Sequence, residues 1–127
     1  SSTVRFVAQS LDAFQSTMSE HGGASRTTPD SASLAISTHA CGRLTDDVLE
    51  FAVHTIGACG IAVMPCCYTG TDQGTPHGIK RALGVSWAAD IRRSFYLMEH
   101  GYHSDFATIP REITPMNRIL VGEKRMT

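Results

Sequence analysis

Hydrophobic residues along this chain fall into short apolar runs separated by segments with helical periodicity. The short runs predict strands at Val4–Ala8, Ser33–Thr38 and Ile61–Met64. The last run is wholly apolar, which is typical of a strand buried on both faces of a parallel sheet. Between the second and third runs, the spacing predicts a helix with Thr45 as its N-cap. The predicted apolar face of this helix consists of Val48, Leu49, Ala52, Val53 and Ile56.

The second half of the chain continues with a longer helix and two strands. The helix is predicted over Ser86–His100 and has one apolar stripe, which we expect to face the core. Two strands follow near Phe106–Ile109 and Arg118–Val121, and their short connection predicts an antiparallel pair. The helix stripe consists of Trp87, Ile91, Phe95 and Met98.

The order of these elements predicts the fold class. Alternating strands and helices indicate an α/β fold with a mainly parallel sheet, closed by a C-terminal antiparallel strand pair. We expect residues 1–127 to form a single domain. Within it, the stretch 19–33 is rich in Gly, Ser, Thr, Asp and Pro, which predicts a flexible loop or insertion.

Composition and charge indicate which partners and which cellular compartment to expect for this domain. Apolar residues make up 42% of the chain, enough for a core, and the net charge of −1 gives no overall attraction to nucleic acid or to an anionic membrane. No apolar run approaches the ~20 residues that span a bilayer, so no membrane partner is expected. The four cysteines come without a secretion signal, which predicts reduced thiols in a cytoplasmic or other intracellular protein.

Candidate chemistry lies at the predicted carboxyl ends of the strands, where open α/β sheets bind ligands. His39–Gly42 and Pro65–Tyr68 follow two of these strands. His39 is suited to orienting a substrate group or acting as a general base, because histidine titrates near neutral pH. The alternative is structural: Cys41 and Cys66 are small buried hydrophobes, and His39 satisfies a backbone group.

The cysteines allow two other kinds of site. Thiolates with one histidine give tetrahedral zinc ligation, but adjacent Cys66 and Cys67 chelate one ion poorly, and the spacing differs from paired Cys-x-x-Cys ligands. We therefore predict no metal ligands and keep a small zinc-binding domain as an alternative. A nucleophilic cysteine needs a nearby base and a lowered pKa, and the sequence indicates neither.

Several short motifs together resemble one family. His39-Ala40-Cys41-Gly42, then Thr45-Asp46, then Pro65-Cys66-Cys67-Tyr68 are similar to a subgroup of class I S-adenosylmethionine-dependent methyltransferases. The resemblance extends over Val4–Lys124, because the last helix and closing strands agree with it. These later motifs are Asp90…Arg93, Gly101-Tyr102 and Ile113-Thr114-Pro115-x-Asn117-Arg118.

The resemblance implies a Rossmann-like sheet of which this chain is the C-terminal half. Val4–Ala8 would be the third strand, Ser33–Thr38 the fourth and Ile61–Met64 the fifth, with the N-terminal strands and the glycine-rich cofactor loop missing. The implied cofactor-binding residues are Ser10, Leu11, His39, Ala40, Cys41 and Gly42. The implied substrate-binding residues are Pro65, Cys66, Cys67 and Tyr68, with His39, Cys66 and Tyr68 as catalytic candidates.

The function implied by the resemblance is methyl transfer from S-adenosylmethionine to an O or N nucleophile. RNA is the likelier substrate class by analogy, with a small molecule as the other possibility. The alternative is a non-catalytic or truncated methyltransferase-like module that binds a partner, through self-association or through a missing N-terminal half. The missing glycine-rich loop favours this alternative, because that loop normally brings the backbone close to the cofactor.

Overall fold

The described residues form a four-stranded sheet with helices packed on one face. The computed structural model describes residues 13, 16, 32–71 and 74–126. The predictions for Val4–Ala8, Ser10, Leu11 and most of 19–33 lie outside these residues. The elements are β1 (Leu34–Ala40), α1 (Leu44–Glu50), a π-helical segment (Phe51–Thr55), β2 (Gly60–Pro65), α2 (His77–Leu83), α3 (Val85–Glu99), β3 (Tyr102–Thr108) and β4 (Arg118–Lys124).

The sheet has the strand order β1-β2-β4-β3 and is mixed. Strands β1 and β2 are parallel, whereas β4 runs antiparallel to both β2 and β3. The predicted antiparallel pair at the C-terminus is therefore confirmed, together with the α/β class. The described strands do not make a mainly parallel sheet, because β4 inserts beside β2 in the opposite direction and contributes two antiparallel interfaces.

Burial alternates along β2 rather than covering both of its faces. Ile61 and Val63 are 2% and 0% exposed, while Ala62 and Met64 are half-buried. The buried pair joins Leu49 of α1 and Leu97 of α3 in one core cluster, so both helices lie on that face of the sheet. The prediction of a strand buried on both faces was wrong for the described residues, because a wholly apolar run does not reveal how many faces are covered.

The first helix begins differently from the prediction. Its N-cap is Arg43, and the fully buried Thr45 lies in the first turn, where its hydroxyl donates to the carbonyl oxygen of Ala40 at 2.6 Å. Thr45 is thus not the N-cap; its hydroxyl is used as a donor to the end of β1. The predicted apolar face is confirmed, since Leu49 and Ala52 are in the core cluster and Val48, Val53 and Ile56 pack against it.

The longer helix α3 buries another face than the predicted one. Trp87, Phe95 and Met98 of the expected core stripe are 41%, 58% and 44% exposed. The buried residues of α3 are Ala88, Ala89, Asp90, Arg93 and Leu97. Apolar periodicity pointed to the wrong face because two charged residues are buried as an ion pair, which a hydrophobicity pattern counts as solvent-facing. No helix in the described part of the chain is long and apolar enough to span a membrane.

Candidate functional site

The loops that follow β1 and β2 meet at the end of the sheet where the carboxyl ends of these two strands lie. Both strands end there because they are parallel neighbours, and the antiparallel β4 begins at the same edge. The backbone N–H of Gly42 donates to the carbonyl oxygen of Cys67 at 3.0 Å, which joins the two loops directly. We call His39–Gly42 and Pro65–Tyr68 the rim. The two strand-end segments that the sequence singled out therefore lie side by side in the structure.

His39 is the first residue of the rim and the last but one of β1. Its φ of +59° is in the left-handed region, and the β1–β2 register shifts between Thr38 and Ala40. This irregularity leaves the His39 side chain exposed, while the next residue, Ala40, is buried at 3% exposure. The side chain of His39 is thus exposed to solvent at the end of β1.

Gly42 lies where the chain has no space for a side chain. Its φ is +56°, and a Cβ added at this position would collide with the carbonyl oxygen of Thr69. Glycine tolerates both the left-handed backbone and the close approach of another chain segment. The contact between the two rim loops therefore depends on the absence of a side chain at Gly42.

The rim cysteines are free thiols in contact with one another. Cys41 is exposed, and Cys66 and Cys67 are half-buried. The Cys41 thiol forms hydrogen bonds with Cys67 and Cys66, which raise its pKa to about 11, whereas the backbone N–H of Thr69 and the bond from Cys41 lower the pKa of Cys67. The interpretation of Cys41 as a buried hydrophobe is wrong, and Cys67 has the lowered pKa that the sequence did not indicate. No group of three or more potential ligands in residues 32–71 and 74–126 is arranged to hold a metal ion, and the zinc alternative stays a prediction.

A buried ionic network lies directly beneath the rim. Arg93 Nη1 donates to Asp90 Oδ1 at 2.9 Å, and both side chains are 1% exposed. Arg93 also donates through Nε to Asp46 Oδ1 at 2.9 Å and through Nη2 to the carbonyl oxygen of Gly42 at 3.1 Å. Burial opposes the charge on Arg93, but its bonds to Asp46 and Asp90 outweigh that cost, so the pKa of Arg93 is raised. Asp90 and Arg93 thus form an i, i+3 pair on α3 that is buried rather than exposed to solvent.

The second oxygen of Asp90 holds the other rim loop. It accepts hydrogen bonds from the Tyr68 hydroxyl at 2.5 Å and from Arg118 Nε at 2.8 Å. Desolvation and the Asp90 carboxylate raise the pKa of Tyr68 to about 12, so the hydroxyl stays protonated at neutral pH. The Arg118 guanidinium lies 3.8 Å from the ring centroid of Trp87, which leaves it between that ring and Asp90.

Comparison with known protein families assigns this chain to one of them. Residues 2–73 match the family described as a methyltransferase domain, over more than half of the chain and across both rim loops. The chain belongs to that family. Searches of curated proteins and of solved structures found no match.

In this methyltransferase domain, the ionic network positions the rim. Through Arg93 it is bound to the loop after β1, and through Asp90 to the loop after β2 and to β4. Sequence reasoning did not identify this role, although all of the network's residues lie within the motifs that carry the family resemblance. The signal available was the i, i+3 spacing of Asp90 and Arg93 on a helix.

A cavity of about 200 Å³ adjoins the network between α1 and α3 of the methyltransferase domain. It shares Asp46 and Arg93 with the network, and two buried polar atoms, Arg92 Nε and the Tyr96 hydroxyl oxygen, have no hydrogen-bond partner among the described residues. The space is large enough for water molecules, which satisfy such groups in other proteins. The remaining lining residues are Leu49 and Glu50.

Proposed function

We propose that this chain is part of an S-adenosylmethionine-dependent methyltransferase that transfers a methyl group to an O or N nucleophile. Membership in the methyltransferase-domain family supports methyl transfer. The observation that carries the proposal is the rim itself. Two loops at the carboxyl ends of parallel strands, where α/β folds bind ligands, are joined by the Gly42–Cys67 bond and leave His39 and Cys41 exposed.

The rim residues fit one wall of a cofactor site. The clash that a Cβ at Gly42 would cause shows how closely the rim loops approach each other, and the bulge at His39 turns that side chain outward. We assign cofactor contact to His39, Ala40, Cys41 and Gly42, together with Ser10 and Leu11, which lie outside the described residues. When bound, S-adenosylmethionine supplies an electrophilic methyl group on a sulfonium sulfur.

The rest of the cofactor site would come from further strands beyond β1. In the Rossmann-like arrangement that we propose, the edge of β1 pairs with a further strand. Leu34 and Ile36 on β1 are 69% and 74% exposed, which supports an additional element that covers the face of β1 from which they project. A sheet edge of this kind is a template for pairing with another strand.

Methyl transfer requires mainly that donor and acceptor be held in line. His39 is our candidate for orienting or deprotonating the acceptor, because its side chain is exposed at the rim. Tyr68 is better suited to walling the substrate pocket than to acting as a base, since its hydroxyl is bonded to Asp90 and its pKa is raised to about 12. Pro65, Cys66 and Cys67 complete the proposed substrate wall. RNA remains our first substrate class by analogy, with a small molecule second.

A second candidate function is that of a non-catalytic module that binds a partner. The exposed apolar residues of β1 favour it, because Leu34 and Ile36 face solvent on the strand at the edge of the described sheet, where another chain can add a strand. The two functions differ in cofactor binding, which the module does not need.

Calorimetric titration of the purified chain with S-adenosylhomocysteine tests the proposal. We expect saturable binding, which His39→Ala weakens by about tenfold through loss of one contact. His103→Ala is the matched control, because His103 is also exposed but lies on β3 away from the rim. If the folded chain, with its native circular dichroism spectrum, shows no binding, the enzyme proposal fails for this chain and the partner-binding module is favoured.

A further inference from the structure

The rim brings together cysteines that are far apart in sequence. Cys41 follows β1 and Cys67 follows β2, and the backbone bond from Gly42 to Cys67 holds their chain segments side by side. The two thiols are free and hydrogen-bonded to each other. The other end of β2 provides an internal comparison, because Cys59 precedes that strand and is exposed at the opposite edge of the sheet.

The surroundings of the two thiols are unequal. Cys67 receives hydrogen bonds from the backbone N–H groups of Thr69 and Gly42 and from Cys41, and these bonds lower its pKa. Cys41 is the donor in the shared bond, and its bonds with Cys67 and Cys66 raise its pKa to about 11. The pair therefore deprotonates first at Cys67, with a protonated thiol held next to it. Thiolates, rather than thiols, react with oxidants.

We propose that Cys67 and Cys41 are a peroxide-responsive pair in which Cys67 is oxidised and Cys41 resolves it as a disulfide across the rim. The Cys67 thiolate attacks one oxygen of a hydroperoxide; an S–O bond forms, the O–O bond breaks, and the departing alkoxide takes a proton to become an alcohol. Cys41 then attacks the sulfenic sulfur as its proton passes to the departing hydroxide. An S–S bond forms, the S–O bond breaks and water leaves.

The overall reaction is balanced by its own reactants. Two thiols and one hydroperoxide give one disulfide, one alcohol and one water, with both sulfurs oxidised and the peroxide reduced. The thiol chemistry does not depend on methyl transfer. Its consequence does rest on the proposed function, because the disulfide fixes Cys41 and Cys67 in the loops to which we assign the cofactor and the substrate wall.

The test is thiol mapping of the purified, reduced chain after exposure to hydrogen peroxide. Remaining thiols are alkylated, and the digested protein is analysed by mass spectrometry. We expect a peptide pair linked between Cys41 and Cys67 and lighter by two hydrogen atoms, with Cys59 still alkylated. Before oxidation, Cys67 should react with iodoacetamide about tenfold faster than Cys59 near neutral pH, because the hydrogen bonds that Cys67 receives favour its thiolate.

Single substitutions separate the roles of the two residues. Cys41→Ser should leave a sulfenic acid on Cys67 that dimedone traps, whereas Cys67→Ser should abolish both the adduct and the disulfide. Cys66→Ser should still form the linked pair. A link through Cys66, or equal peroxide reactivity of Cys67 and Cys59 in the unsubstituted chain, overturns the proposal. Titration of the oxidised chain with S-adenosylhomocysteine then tests only the consequence, so failure of cofactor binding is distinguishable from failure of the thiol chemistry.

Discussion

Arg93 donates a hydrogen bond from its guanidinium Nη2 to the carbonyl oxygen of Gly42, 3.1 Å away. The two residues belong to a helix and to a strand-end loop that are distant in the chain. This bond joins α3 to the loop after β1, while the Gly42 N–H joins that loop to the loop after β2. The rim thus depends on a buried cation that is itself compensated by Asp46 and Asp90.

Arg93 should matter far more to stability than its neighbour Arg92. We expect Arg93→Met to lower the free energy of unfolding by about 3–5 kcal/mol, because it leaves the fully buried Asp90 with one cation fewer. Arg92→Met should cost at most about 1 kcal/mol, since the Arg92 side chain is 36% exposed and its bond to Asp46 is 3.3 Å long. Urea denaturation measures both. Equal losses would mean that the network contributes no more than a surface pair.

Gly42→Ala should destabilise the chain more than Gly70→Ala. Both glycines have positive φ, +56° and +73°, so alanine is strained at each, by about 1–2 kcal/mol. Only at Gly42 does the added Cβ also collide with a backbone oxygen, that of Thr69, whereas nothing lies within 4 Å at Gly70. We expect a further loss of about 1–3 kcal/mol at Gly42, measured by thermal unfolding. Equal effects would show that the loops separate without cost.

The tyrosines should ionise only at unusually high pH. The chain has three, and burial raises the pKa of each above 10.0, with Tyr68 at about 12. Because the folded state retains these protons longer than the unfolded state, stability is fully present below pH 10 and is lost as pH rises toward 12. Phenolate absorbance and melting temperature, followed over this range, measure the effect.

Tyr68→Phe is the control for that titration. It should remove the highest-pH component of the phenolate signal. At neutral pH it should also cost about 1.5–3 kcal/mol, since Asp90 loses a hydrogen bond to its charged oxygen. A titration unchanged by the substitution would contradict the close pairing of Tyr68 with Asp90.

The two faces of α3 can be distinguished by truncation. Leu97→Ala should cost about 2–5 kcal/mol because Leu97 is 0% exposed and belongs to the core cluster. Phe95→Ala, at a residue 58% exposed, should change stability by less than about 0.5–1 kcal/mol. The reverse ranking, measured by chemical denaturation, would restore the stripe that the sequence pattern predicts as the core face.

The structure shows what the charged and polar residues of the family motifs do, which the motifs alone do not reveal. Five residues of the motifs by which the chain resembles methyltransferases lie in the network beneath the rim. They are Asp46, Tyr68, Asp90, Arg93 and Arg118. Their side chains are used to hold loops in place. His39 and Cys41 are exposed at the rim, and we propose that they contact the cofactor.

The sequence by itself determined the α/β class, the apolar face of α1, the closing antiparallel pair and the position of both rim loops at strand ends. These follow from local periodicity and from the order of the elements, whereas the adjacency of the two strands was implied by the family resemblance. Only the tertiary structure decided which face of α3 is buried, the donor role of Thr45, and the unequal pKa values of Cys41 and Cys67. Each of these depends on partners distant in the chain, because burial of a charge or a shift in pKa is set by the groups that surround it rather than by its own position in the pattern.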